Sequence, residues 1–141
     1  MPQGTRGERL KELSVLLALL FCCNYSLAEW RRLSGGPPAD YTQYIDLDTL
    51  KITDDGKIRI WELMDHKNPK PTVSGDLARS AKVYWEIDCQ EFKHRVLAGS
   101  WFTGQMGNGQ SLGSTKASEY SFIQPGSVAA GLATPLCSNT K

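Results

Sequence analysis

The sequence predicts an α+β domain: a small antiparallel β-sheet with a C-terminal helix packed on one face. Three observations predict it. Residues 80–89 alternate strictly, with Val83, Trp85, Ile87 and Cys89 on one side and Lys82, Tyr84, Glu86 and Asp88 on the other, the period-2 pattern of a half-buried strand. Asp54-Asp55-Gly56 lies between two apolar-alternating runs, a short-range hairpin signal because glycine accepts the positive φ of the turn. Near the C-terminus, Ser127 precedes an alanine-rich stretch over residues 128–133, a helix with its N-cap.

At 141 residues, with 40% hydrophobic residues, the chain has the length of one domain and the apolar content for a core. Sixteen basic against fifteen acidic residues leave a net charge of +1, which argues against nucleic-acid binding, since that needs a basic face. It argues equally against an acidic disordered tail. Thirteen glycines and four tryptophans agree with a turn-rich, β-rich domain.

The first 28 residues are expected to be a leader rather than part of the fold. Arg6, Arg9 and Lys11 precede an uncharged run of eleven residues over 13–23, and Ser26 and Ala28 then stand at the −3 and −1 positions of a cleavage site. That is the order of a secretory signal peptide, and eleven apolar residues are too few to span a bilayer. Cleavage is expected between Ala28 and Glu29. Cys22 and Cys23 raise lipoprotein processing, but Phe21 and Cys22 precede them where a small residue is wanted. Removal of residues 1–28 takes three basic and two acidic residues, leaving 113 residues with 13 of each sign and two cysteines, Cys89 and Cys137. An even pair in an exported chain reads as one disulfide. If Cys89 faces the apolar layer, the bond pulls the C-terminal helix onto that face.

The mature chain opens with a breaker cluster at residues 34–38, followed by short β segments at 44–46 and 50–52, the Asp54-Asp55-Gly56 turn and a strand over 57–64. Residues 66–75, with Pro69 and Pro71, read as a polar loop. After the strand over 80–89, residues 92–103 resume an extended pattern whose register shifts, with Gly99 as the expected bulge. Residues 104–109, containing Asn108-Gly109, form a further turn, residues 119–123 a last strand, and the helix is expected to stop near Pro135.

Nothing in this pattern is catalytic, and no cofactor or metal is expected. His66 and His94 are the available neutral-pH bases, and both read as solvated residues. The chain lacks a G-x-S-x-G elbow, C-x-x-C, H-E-x-x-H or EF-hand spacing, and the glycines at 104–109 do not fit a dinucleotide fingerprint. Asp46, Asp48, Asp54 and Asp55 read as turn carboxylates. What remains is a surface: Lys82 and Tyr84 from one strand, Lys93 and Arg95 from the next, a mixed basic-aromatic strip of the residue types that serve at protein interfaces.

Glu29-Trp30, Tyr44-Ile45-Asp46, Ile60-Trp61, Arg79-Ser80-Ala81-Lys82, Ile87-Asp88-Cys89, Met106-Gly107-Asn108-Gly109, Ile123-Gln124-Pro125-Gly126-Ser127 and Cys137, in this order, resemble the surface-adhesin protein E family of Gram-negative bacteria. The resemblance runs from Glu29 to Cys137. It implies a small antiparallel sheet with its C-terminal helix tethered by a Cys89–Cys137 disulfide. It implies export to the cell envelope, periplasmic or on the outer surface, with no transmembrane anchor in the mature chain. It further implies a non-enzymatic binding protein whose partner is an extracellular-matrix or serum protein, and a capacity to form a homodimer. A periplasmic small-ligand carrier, with a concave pocket between sheet and helix, and a structural envelope subunit are the alternatives.

Overall fold

Strand alternation sets the architecture. The computed structural model describes residues 28–33 and 40–139. Apart from Ala28, the expected leader lies outside them, as do Cys22, Cys23 and the breaker cluster at 34–38. Within these residues seven strands form one antiparallel sheet: β1 (Trp30–Arg32), β2 (Tyr41–Ile52), β3 (Ile58–Pro71), β4 (Leu77–Asp88), β5 (Lys93–Phe102), β6 (Ser111–Thr115) and β7 (Ser121–Phe122). The order is β1-β2-β3-β4-β5-β6, and β7 pairs with the opening residues of β5. Among the described residues one α-helix, α1 (Val128–Ser138), lies across one face.

The face under α1 is the core. Ile45, Ile58, Ile60, Val83, Trp85, Ile87 and Ile123 pack against Ala129, Leu132, Ala133 and Leu136. Burying each large aliphatic side chain is worth roughly 1.5–3 kcal/mol. Ser127 caps the helix, its hydroxyl accepting the Ala130 amide at 3.1 Å. At the other end Cys137 is disulfide-bonded to Cys89, 48 residues away, across a Cα–Cα distance of 5.5 Å.

Four local expectations are corrected. The segments at 44–46 and 50–52 are one strand with a register shift between Asp46 and Lys51, where the Thr49 hydroxyl accepts the Trp61 amide. Residues 66–71 belong to β3 rather than to a loop; the ladder to β4 shifts between Asp65 and Lys70, so Pro69 falls where no ladder N–H is required, and Pro71 closes the strand. The bulge in β5 is at Leu97, since Val96 pairs with Trp85 and Ala98 with Tyr84, while Gly99 pairs regularly with Val83. Finally, α1 runs through Pro135 to Ser138, because burial of Leu136 and the bond at Cys137 hold the last turn against the cost of the missing proline donor.

The loop between β5 and β6 contains a 3₁₀ turn (Gln105–Gly107) and folds back on the sheet. Its Met106 amide donates to Asp65 Oδ1 at 2.7 Å, and the Gly107 amide to the Ser80 hydroxyl at 2.9 Å. Met106 takes a left-handed φ of 56°, which costs of order 1–3 kcal/mol and persists only where surrounding contacts over-determine it.

Candidate binding surface

Among the described residues no helix covers the face opposite α1. Register alone assembles it: Trp61 pairs with Tyr84, Leu63 with Lys82 and Arg59 with Glu86 across β3 and β4, while Glu86 pairs with Arg95 and Asp88 with Lys93 across β4 and β5. All four strip residues, Lys82, Tyr84, Lys93 and Arg95, therefore stand on this one face.

Their environments differ. At one end, Glu86 is only 2% exposed although it lies on the open side. Its cover is thin and consists of its own partners. Arg59 Nε donates to Oε2 at 2.5 Å, Arg95 Nη2 reaches Oε1 at 2.6 Å, and the Tyr120 hydroxyl donates to Oε1. Burial pushes this carboxyl up, but the hydrogen bonds from Tyr120, Arg59 and Arg95 outweigh it and hold it below the usual carboxylate range. Arg95 also lies over the Tyr120 ring at 4.7 Å. Lys93 sits over Phe122 at 4.8 Å and 3.5 Å from Glu91. Charge at this end is compensated within the protein.

At the centre the chemistry is different. Trp61 and Tyr84 stack with centroids 5.0 Å apart and planes 19° from parallel. The Lys82 ammonium lies 5.8 Å from the Trp30 ring and 5.3 Å from that of Phe102. Among the described residues no carboxylate pairs with it. The lysine tail lies against the Gly107 turn, where a Cβ would fall 2.2 Å from Lys82 Cε and push that tail aside, and the φ of 71° is what favours glycine there. A half-buried cation framed by aromatic rings and a second aromatic stack thus form the middle of the open face. Trp30, Trp61 and Phe102 were not among the strip residues expected from the sequence. Their membership follows from strand register, and for Phe102 from the parity change in β5, which the sequence signalled at Gly99 and the ladder places at Leu97.

The histidines are corrected. Both are half-buried on the α1 side rather than solvated. His94 lies 5.0 Å from the Trp85 ring, and His66 contacts Tyr41 edge-on. Burial lowers both pKa values. Among the described residues no group of three or more His, Cys, Asp or Glu side chains is placed to hold a metal. No helix among them is long and apolar enough to cross a membrane.

Comparison with known proteins accords with this architecture. Protein E from non-typeable Haemophilus influenzae superposes with a TM-score of 0.57 at 15% identity, over 80% of this chain and 78% of that one. A second crystal form of Haemophilus influenzae protein E gives 0.61 at 15% identity, over 81% and 91%. A search of curated protein sequences finds no match. The family description "Surface-adhesin protein E" matches residues 30–138, which include every strand and the helix, and the chain belongs to that family.

Proposed function

We propose that this protein is an exported, non-enzymatic binding protein of the bacterial cell envelope, and that it engages a protein partner through the open face of its sheet. Family membership supports the adhesin class. One observation carries the choice of surface: Trp30 and Phe102 flank an ammonium, Lys82, that no carboxylate of the described residues neutralises, and the Trp61–Tyr84 stack lies on the same face. Tryptophan and tyrosine at the centre of a patch, ringed by satisfied polar groups, are the composition of a binding hot spot. The unpaired cation favours a partner that presents a carboxylate against the rings. Lys93 and Arg95 belong to the rim, since Glu91 and Glu86 already hold them. At the sheet–helix interface Leu132 and Ala133 are fully buried.

The test is a panel of purified extracellular-matrix and serum proteins, immobilised and titrated with the oxidised domain. For a partner so found, Tyr84→Ala and Lys82→Ala are each expected to weaken binding about tenfold or more, a loss of roughly 1.4 kcal/mol or above. Lys93→Ala should change it less than about threefold. Equal loss at the rim and at the centre, or none at the centre, would place the contact elsewhere.

A further inference from the structure

Under α1 lies a carboxyl group that neither the adhesive surface nor the packing of the core requires. Glu62 points from the middle of β3 into the core face and is 0% exposed. Its two oxygens accept from Gln43 Nε2 at 2.7 Å and Trp85 Nε1 at 2.6 Å. Gln43 Nε2 also reaches the Val128 carbonyl in the first turn of α1, at 3.2 Å. Gly131 lies against the same amide: a Cβ there would stand 2.9 Å from Gln43 Oε1 and would displace it. A chain of contacts therefore runs from the carboxyl through one amide to the opening turn of the helix.

Among the described residues no cation pairs with Glu62 from any element around it. β2 contributes Gln43 and the Tyr41 phenol, whose ionisation burial and the Glu62 charge both oppose. β4 contributes the Trp85 indole. α1 has no titratable side chain besides the disulfide-bonded Cys137. His66 and His94 share this side of the sheet and make no ion pair or hydrogen bond with Glu62. An ionised carboxylate in such a place carries a large desolvation cost unless paired with a cation, and two neutral donors offset only part of it.

We propose that Glu62 is a proton-operated latch beneath α1: with the proton bound the helix stays seated on the sheet, and loss of the proton lifts its first turns so that water reaches the carboxylate. The movement is bounded at both ends. The Gly126 turn, at φ 75°, precedes the helix, and the disulfide at Cys137 keeps its last turn on Cys89. Lifting the first turns uncovers Ile60, Trp85 and Leu132, apolar surface that the seated form hides. Burial pushes the Glu62 carboxyl up from 4.5 to about 7, against the two hydrogen bonds that favour the anion, so the latch responds between mildly acidic and neutral pH.

The sign follows from linkage. The seated form binds the proton more tightly than the lifted form, so lifting becomes more favourable as pH rises and levels off above the seated value. Amide hydrogen exchange on the whole oxidised protein, corrected for the intrinsic pH dependence of exchange, reads this at residues 131–134. Between pH 5 and pH 8 their opening constant is expected to rise about fiftyfold in the wild type. It should change less than about threefold in Glu62→Gln, with the amides of β3 and β4 steady in both. Constant protection of α1 overturns the proposal, and so does a rise shared equally by the strands, which would mean global unfolding. If Glu62→Gln does not fold, carbon-13 titration of the Glu62 carboxyl in the wild type decides: a midpoint matching those of exposed glutamates overturns it.

Discussion

Glu62 and Glu86 occupy adjacent central strands, both closed off from water at 0% and 2% exposure, and point to opposite sides of the sheet. Their chemistry diverges. Glu86 has two guanidinium groups and a phenol at its oxygens and is held ionised. Glu62 has an amide and an indole, and burial pushes it up to about 7. Depth of burial does not decide the charge state of a carboxyl; the charge of what fills the space around it does. Each side of the sheet follows the same division. The α1 side is mostly apolar and closed, while on the open side Arg59, Arg95 and Lys93 have carboxylate partners and, among the described residues, the central Lys82 has none.

The two carboxyls predict opposite pH slopes. The stability gained from the Glu62 proton is complete below about 4.5, the ordinary glutamate value, and is lost as pH rises through about 7. The stability contributed by ionised Glu86 is complete above the ordinary glutamate value and is lost as pH falls through its depressed one.

The largest effect that would break the contrast is removal of the staple on the covered side. Cys89→Ser opens a closure spanning 48 residues and is expected to cost about 4 kcal/mol in the chain-entropy account. Denaturant midpoints of oxidised wild type and variant check this, and equal midpoints would show that packing alone seats α1. Next comes Glu86→Gln, which leaves Arg59 and Arg95 facing a neutral group. A loss of about 1–3 kcal/mol at pH 7 is expected, moderated because both arginines are partly solvated. The variant's stability should also fall less on acidification below pH 4.5 than the wild type's. An unchanged acid limb in the unfolding profile would remove Glu86 as the source of the acid slope. The smallest effect is Lys93→Ala, whose partner Glu91 is exposed; thermal unfolding should shift by no more than about 0.5 kcal/mol in stability. A larger loss would mean that the rim of the open face is structural.

Much of the fold was legible because it is local. The period-2 pattern at 80–89, the Gly56 turn and the Ser127 cap each depend on a few consecutive residues and appear where the sequence expected them. The misread parts depend on what a strand lies against. Pro69 and Pro71 signal a loop unless the neighbouring ladder has shifted, and Pro135 signals a helix end unless Leu136 and Cys137 anchor the next turn. Lys82, Tyr84, Lys93 and Arg95 could be placed on one face from alternation. That Glu86 consumes Arg95 while Lys82 stays unmatched could not, because it depends on Arg59 and Tyr120, 27 and 34 residues away from Glu86 in the chain.

Alternation, turn residues and the cysteine pair by themselves determined an antiparallel sheet, its closing helix and the staple between them, because each is a relation between near neighbours or between two reactive groups. Tertiary structure alone decided which charges were satisfied. A charge is settled by whatever register and packing bring within a few ångströms of it, and that is how two buried glutamates, alike in sequence, came to hold their protons so differently.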